Sequence, residues 1–365
     1  MKLLLTADLH VYAHKKSSER LQHCLDVVEW IFKTAVEKKV DHVVIAGDLF
    51  HDRYKIDVPT YQRCFEIFQN YDSSHGHKLR VVLLVGNHDM WFHQKWDFSS
   101  IIPFSGLPNV TVINKPCVTD IGGQNIAFLP FTSDPVTALN LIEQNYPPAD
   151  ILVGHVAIND ADLNPFAMTR SEVMVENDGD MIPVDAKIFA KYKQVFLGHY
   201  HAPQIIGGNV EYLGSPLQLN FGDAFQKKHI LIYHVEADFR EYVVNDFSPK
   251  HFIIRLAEAN DYPLRDNFVK LITDVGQTLD VVDVRKQFIE QHGSKTFEVK
   301  PPKKNESEEE TLIDNAKSLL ADEFEITRRF IEQSDKAGRL GDLKADKLIQ
   351  MASQIIKETN EEIKD

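Results

Sequence analysis

Short apolar runs alternate with segments of helical period over roughly the first 246 residues. Apolar positions recur at helical spacing between Leu21 and Ala35, which predicts an amphipathic helix, and two more helices are predicted at residues 60–70 and 135–144. The apolar runs between them predict strands at residues 2–7, 42–46, 80–85, 109–113, 125–131, 150–153, 194–197, 210–212 and 229–235. Strands that alternate with helices predict an α/β domain, residues 1–246, with helices outside.

The pattern changes after residue 246. Residues 268–273 and 296–299 predict strands and residues 281–291 predict a helix, so residues 247–300 are expected to form a small α+β capping domain.

A predicted linker separates this cap from a helical tail. Residues 301–310 are rich in Pro, Lys and Glu, and residues 311–365 follow with apolar positions on one face of each of two helices. Those positions are Leu312, Ala316, Leu319, Leu320, Ile326 and Phe330, then Leu348, Met351, Ala352, Ile355 and Ile356. The tail either packs on the chain's own domain or offers its apolar faces to a partner.

Five short polar motifs each follow an apolar, strand-like run. They are Asp8-Leu9-His10, Gly47-Asp48-Leu49-Phe50-His51, Gly86-Asn87-His88-Asp89, Gly154-His155 and Gly198-His199-Tyr200-His201. Strand ends are where an α/β sheet builds its site, and glycine lets the backbone turn close to a ligand. One such motif carries little information, but five in this order predict a metal site.

The candidate metal ligands mix oxygen and nitrogen and include no sulfur. They are Asp8, His10, Asp48, Asn87, His155, His199 and His201. Such a set suits Mn²⁺, Fe²⁺ or Zn²⁺, and it exceeds what one ion uses. Because a carboxylate can bridge two ions, we expect two divalent cations, which would acidify a water and stabilise charge on a phosphate. The chemistry predicted is two-metal phosphoester hydrolysis.

These motifs resemble the calcineurin-like metallophosphoesterase family. The forms GDLFH, GNHD and GHYH are similar to its SbcD-type nucleases, over roughly the first 220 residues and including Gly214-Ser215-Pro216. Since the cap is short, the subunits of phage recombination endonucleases are the most similar members. The resemblance implies a four-layer sandwich of two mixed β-sheets flanked by helices, with manganese as the metal.

The resemblance also implies a role for each site residue. One ion would be held by Asp8, His10, Asp48 and His201, and the other by Asp48, Asn87, His155 and His199, with Asp48 bridging. His88 would be the catalytic imidazole, oriented by Asp89. His51 would contact the DNA phosphate, or else it is an ordinary loop histidine.

Partners follow from the resemblance in the same way. The family implies DNA exonuclease and endonuclease activity in recombination, repair or replication, an SbcC-type coiled-coil ATPase bound to the C-terminal helices, and a homodimer. The helix with Tyr61, Phe65 and Phe68 is a candidate dimer face. The aromatic segment 90–96 packs in a helix or loop, contacts a second copy, or stacks on bases.

Composition limits these interpretations. The net charge of −14 argues against a generic nucleic-acid binder, so we expect the ions and a basic partner surface to attract DNA. Three cysteines without C-x-x-C spacing favour a reducing cytoplasm, or the host cytoplasm for a phage protein. No apolar run reaches the roughly 18 residues of a membrane span.

Two other functions stay open on sequence grounds. The same scaffold serves phosphatases and cyclic-nucleotide phosphodiesterases, although phosphatases usually carry GNHE and an arginine in the second motif. A purely architectural subunit would lack ligands, whereas all seven are present here.

Overall fold

A computed structural model describes most of the chain. The residues described are 1–14, 16–71, 79–92, 95–159, 161, 183–272, 281–300, 347–349 and 351, with the backbone alone at 281–284, 287 and 296–300. The chain divides into two compact units, Met1–Ile272 with Thr278–Lys300, and Thr273–Gln277 with Pro301–Asp365. Only the first is described below. The predicted linker and nearly all of the predicted tail lie outside the described residues, and the predicted domain boundaries stay predictions.

The first large sheet contains most of the strands predicted for the first half of the chain. Its strands are β1 (Lys2–Thr6), β2 (His42–Ile45), β3 (Arg80–Leu84), β6 (Val110–Ile113), β13 (His229–His234) and β14 (Phe239–Val244). Their order is β14-β13-β1-β2-β3-β6. The strands β1, β2, β3 and β6 run parallel, and β13 and β14 close one edge antiparallel.

The second large sheet is also mixed. Its strands are β7 (Cys117–Ile121), β8 (Gln124–Leu129), β9 (Ile151–His155), β10 (Gln194–Gly198), β11 (Gln204–Ile206) and β12 (Val210–Tyr212), in the order β11-β12-β10-β9-β8-β7. The strands β8, β9, β10 and β12 are parallel, and β7 and β11 are antiparallel edges.

Helices cover the outer faces. They are α1 (Ser18–Glu37), α2 (Val58–Asn70) and α3 (Pro135–Asn145). The side chains of Ser17, Asp57 and Asp134 each accept a backbone N–H in the first turn, which is why these helices begin where they do. A hairpin of β4 (Met90–Phe92) and β5 (Lys95–Ser99) follows the third motif, and short 3₁₀ helices span Ile102–Gly106, Ala186–Phe189, Phe221–Asp223 and Leu256–Glu258.

The predicted cap is a small parallel sheet with one helix. It contains β15 (His251–Arg255), β16 (Phe268–Ile272), α4 (Val281–His292) and β17 (Thr296–Lys300). The guanidinium carbon of Arg20, in α1, lies 4.5 Å from the ring centre of Phe268. This cation–π contact joins the cap to α1.

Alternation along the strands builds the layers. Leu3 and Leu5 of β1 point between the two sheets and contact a core that includes Phe128 and Phe196 of the second sheet. Leu4 points the opposite way, towards the residues of α1 and α2. A third apolar cluster joins the second sheet to α3. The helix–sheet–sheet–helix sandwich confirms the predicted fold class.

Some strands were not predicted from the pattern. They are β7, β11, β14 and β15 and the hairpin β4–β5, and β14 has no fully buried position because it is an edge. The segment 90–96 is therefore strand rather than helix where it is described. Within the described residues, no helix combines the length and apolarity needed to cross a membrane.

An aromatic cluster fixes α2 on the core. Phe68 is fully buried, with ring centres 5.0 Å from Phe32 and 4.9 Å from Phe104. Tyr61 and Phe65 are half-buried and contact Phe104 as well. The expectation that Phe68 belongs to a dimer face is wrong, because its side chain is buried in the chain's own core.

Truncating this anchor should cost stability. We expect Phe68→Ala to lower the free energy of unfolding by about 3–5 kcal/mol, since it leaves a cavity among packed rings. Val58→Ala on the same helix, at a side chain that is 73% exposed, should change it by about 0.5 kcal/mol or less. Denaturant titration measures both, and equal effects would contradict the packing described.

Candidate metal centre

The five motifs lie at the carboxyl ends of parallel strands in both large sheets. The first sheet presents Asp8, Asp48 and Asn87 after β1, β2 and β3. The second presents His155 at the end of β9 and His199 after β10. Because the sheets pack face to face, residues far apart in sequence meet at one edge of the sandwich.

Asp48 is the centre of the cluster. Its Oδ2 lies 3.3 Å from Nε2 of His155 and 3.6 Å from Nε2 of His10. The Oδ1 of Asn87 lies 2.9 Å from Nε2 of His155 and 3.2 Å from Nδ1 of His199. Asp48 therefore touches both halves of the predicted ligand set.

The donor atoms form overlapping groups of a size that suits cations. Three groups have ligand atoms within 4.8 Å of one another, namely Asp8 with His10 and His201, Asp8 with Asp48 and His155, and His10 with His51 and His88. The Nε2 atoms of His10 and His201 face each other at 3.0 Å. Carboxylate, amide and imidazole donors at these separations fit borderline divalent metals, so the residues present fit the ions that the motifs predict.

Burial controls protonation in the site. It raises the pKa of Asp8 to about 7 and lowers the pKa of His199 to about 3 and of His201 to about 4. Burial would lower the pKa of His155 too, but the Asp48 carboxylate raises it to about 9. At neutral pH His199 and His201 are thus neutral, which is the form in which an imidazole can bind a cation.

Four of the predicted ligands have a strained backbone. Asp8, His10, Asp48 and His199 have φ of 53°, 44°, 55° and 105°, a region that residues other than glycine rarely adopt. Backbone hydrogen bonds hold two of them, because Asp8 N donates to Gly47 O at 3.1 Å and His10 N donates to Asp48 O at 3.1 Å. Strain of this kind persists where the surroundings impose it, and it clusters at functional sites.

Glycines make room for the ligands. A Cβ on Gly86 would lie 2.1 Å from Oδ1 of Asp48, and one on Gly47, whose φ is +92°, would lie 2.2 Å from Nδ1 of His155. Any side chain at Gly86 must therefore displace Asp48, which explains the glycine that opens the third motif.

A carbonyl orients the buried imidazole of His155. Its Nδ1 lies 2.8 Å from the carbonyl oxygen of Ala46, which can only accept, so Nδ1 carries the proton and Nε2 faces Asp48 and Asn87. Outer contacts of this kind set the tautomer of metal-binding histidines.

His88 is oriented by a different group from the one expected. Its Nδ1 donates to the carbonyl oxygen of His51 at 2.6 Å, and its backbone N–H donates to Oδ1 of Asp48 at 2.9 Å. The Asp89 carboxylate instead accepts the backbone N–H groups of Gly86, Asp48, Leu49 and Phe50. The expected contact between Asp89 and the His88 ring is thus wrong, because both Asp89 oxygens are engaged in holding the Asp48 loop.

His51 lies at the rim of the cluster. Its Nδ1 is 3.3 Å from Nδ1 of His10, and its ring stacks on His88 with centres 5.6 Å apart. Its backbone carbonyl holds His88 while its ring borders the site, a combination that the sequence did not predict.

Exposed aromatics continue from this rim along the hairpin β4–β5. Trp91 and Phe92 are 48% and 45% exposed, and Trp91 lies edge-on to Tyr54. Trp96, by contrast, packs inward and donates its indole N–H to Phe131 O at 2.9 Å. His93 and Gln94 lie outside the described residues, and the choice between a second copy and nucleic-acid bases stays open for Trp91 and Phe92.

Lys228 and Asp223 border the last motif, and the sequence patterns did not find them. Both are buried, and Lys228 Nζ donates to the backbone carbonyl of His201 at 2.8 Å. The only sequence signal is a lysine at the start of a buried strand, which has no characteristic spacing from the ligands.

Known proteins resemble this chain over part of its length. At 25% identity over 248 residues, it is similar to exonuclease subunit 1 of Enterobacteria phage T4, covering 67% of this chain and 68% of that protein. It is 26% identical over 267 residues to the D subunit of the nuclease SbcCD of Escherichia coli strain K12, covering 63% and 64%. The second match spans less than two thirds of the relative's length.

A solved structure and a family model also match part of the chain. TT1561 of Thermus thermophilus aligns with a TM-score of 0.38 and 12% identity, over 67% of this chain and 98% of that one. The model of the calcineurin-like phosphoesterase family matches residues 1–203, which is more than half of the 365 residues. The chain therefore belongs to the calcineurin-like phosphoesterase family, whose members include metal-dependent hydrolases.

Proposed function

We propose that this chain is a metal-dependent DNA nuclease subunit that hydrolyses phosphodiester bonds with two divalent ions, most simply Mn²⁺. The observation that carries the proposal is that Asp48 lies 3.6 Å from His10 and 3.3 Å from His155. The ring of His88 is held separately, by the carbonyl of His51. The relatives named as an exonuclease subunit and a nuclease subunit support DNA as the substrate.

The ligand roles are proposed as the motifs imply. One ion would be held by Asp8, His10, Asp48 and His201, and the other by Asp48, Asn87, His155 and His199. Two bound ions supply positive charge to the phosphodiester and acidify a water. Two aspartates offset only half of that charge, so the site would attract an anionic backbone despite the net charge of −14.

His88 is the proposed proton donor. Its Nδ1–H is committed to the His51 carbonyl, so Nε2 is the atom that can hold a proton for the leaving oxygen. Asp89 acts indirectly, since its carboxylate holds the loop that carries Asp48 and does not contact the His88 ring. His51 is proposed to meet the DNA phosphate with its ring and to position His88 with its carbonyl.

Partner binding extends the proposal. The E. coli relative is named as one subunit of the nuclease SbcCD, which supports a larger assembly. We infer that an SbcC-type coiled-coil ATPase binds the helical tail and that the nuclease chain pairs as a homodimer, in recombination, repair or replication.

Cleavage of DNA is the direct test. With Mn²⁺ the protein should degrade linear duplex DNA, chelation should stop it, and His88→Ala should reduce the rate by about 10²–10⁴-fold while Mn²⁺ binding survives. His234→Ala is the matched control, because His234 pairs with Lys2 at the opposite end of β1 from the site. Efficient hydrolysis of p-nitrophenyl phosphate with no action on DNA would instead favour the phosphatase alternative.

Metal loading can be tested without any substrate. Isothermal titration should find two Mn²⁺ per wild-type chain, and Gly86→Ala should weaken or abolish their binding because the new Cβ displaces Asp48. Gly106→Ala should bind as the wild type does, since nothing lies within 4 Å of a Cβ there. Two ions bound normally by Gly86→Ala would argue against Asp48 as a ligand.

The tail has its own test. Deleting residues 301–365 should leave basal Mn²⁺-dependent cleavage intact and remove stimulation by an SbcC-type ATPase. Rates measured with and without the ATPase check this. Loss of basal activity on deletion would favour a tail that packs on the chain's own nuclease domain.

A further inference from the structure

Lys228 is a buried cation behind the last motif. Its side chain is 3% exposed, and lysines are rarely buried unless all their donors are paired. The ammonium meets this condition, because Nζ donates to His201 O at 2.8 Å, to Asp223 Oδ1 at 3.0 Å and to Gln226 Oε1 at 2.7 Å. Its three protons are thus used within the protein.

The His201 carbonyl is held from two sides. Ser215 N donates to the same oxygen at 3.1 Å, and a Cβ on Gly214, whose φ is +66°, would lie 2.7 Å from it. Two donors on one carbonyl fix the peptide plane that follows His201. That plane in turn limits where the imidazole can point, and its Nε2 lies 3.0 Å from Nε2 of His10.

Asp223 holds the lysine in turn. Its side chain is 5% exposed, and its second oxygen accepts the backbone N–H of Leu219 at 2.9 Å. The lysine holds the pKa of Asp223 below its ordinary value although burial opposes this, so the carboxylate is ionised. A buried ion pair gains little net stability over apolar residues of similar size. The effect of the Lys228–Asp223 pair is instead to direct the Lys228 ammonium at the His201 carbonyl.

We propose that Lys228, fixed by Asp223, is a positioning residue for His201 and sets that imidazole to ligate one of the two divalent ions. The inference rests on the proposed function, since it takes His201 as a metal ligand. Lys228 is placed to act through the carbonyl of His201, to which its ammonium donates, and not as a ligand itself.

The test is Mn²⁺ titration of the full chain by calorimetry, with ion occupancy followed by electron paramagnetic resonance. Lys228→Met alone would strand a buried carboxylate, so the variant of choice is Lys228→Met/Asp223→Asn, which removes both charges and keeps the acceptor for Leu219 N–H. We expect one of the two ions to bind about 10–100-fold more weakly and the other to keep its affinity. Asp223→Asn alone, which keeps the ammonium, should give a smaller loss at the same ion, and it serves if the double variant does not fold.

The matched control is Arg240→Met/Glu211→Gln. It removes another largely buried pair, 2.8 Å between Arg240 Nε and Glu211 Oε2, that makes no contact with the motif residues in the described structure. It should bind both ions as the wild type does. Wild-type affinity in the Lys228 variants, or a loss that the control shares, would overturn the positioning role. A wild-type chain that binds no Mn²⁺ would overturn the proposed function and this inference together.

Discussion

The arrangement of the candidate centre depends on one carboxylate that is not among the predicted ligands. Asp89 accepts the backbone N–H groups of Gly86, Asp48, Leu49 and Phe50, and it is fully buried while doing so. Burial and the neighbouring Asp48 carboxylate raise the pKa of Asp89 to about 7, and the N–H groups of Gly86 and Phe50 oppose the rise because they favour the charged form. A single side chain thus gathers the loops after β2 and β3 and turns Asp48 towards the site.

Hydrogen bonds also hold the strained backbone of three predicted ligands. Asp8, His10 and Asp48 adopt positive φ where the backbone pairing of β1 with β2 continues past both strand ends, through Asp8 N to Gly47 O and His10 N to Asp48 O. Each unfavourable conformation costs of the order of 1–3 kcal/mol. Conformations of this cost persist only because favourable interactions elsewhere in the fold offset them.

The edge of the site near the cap is held by a polar network. Lys228 joins the His201 carbonyl to Gln226, the backbone carbonyl of Gln226 accepts from the side chain of Gln218, and Gln218 accepts the backbone N–H of His251 in β15. The first strand of the cap and the last of the five polar motifs therefore share one continuous set of hydrogen bonds. Networks of this kind couple the positions of the groups that they join.

Local patterns were enough to predict the sheet-building strands and the polar residues that converge at one edge of the sandwich. Apolar runs with polar motifs at their ends are signals within a short stretch of chain, and the parallel strands β1, β2, β3, β9 and β10 each carried both. The edge strands β7, β11 and β14 were not predicted, because an edge strand is partly exposed to solvent and does not need a long apolar run.

The orientation of those residues was settled only by the packing of the two sheets. No local pattern indicates that Asp89 accepts backbone N–H groups or that the His51 carbonyl holds the His88 ring. Nor does a local pattern indicate that Phe68 is buried in the core. Lys228 lies beside His201 only because two loops meet after the sheets have packed. Residue type and spacing can be read from the sequence. Hydrogen-bond partners depend on distances in space, and these distances are fixed only when the two sheets pack on each other.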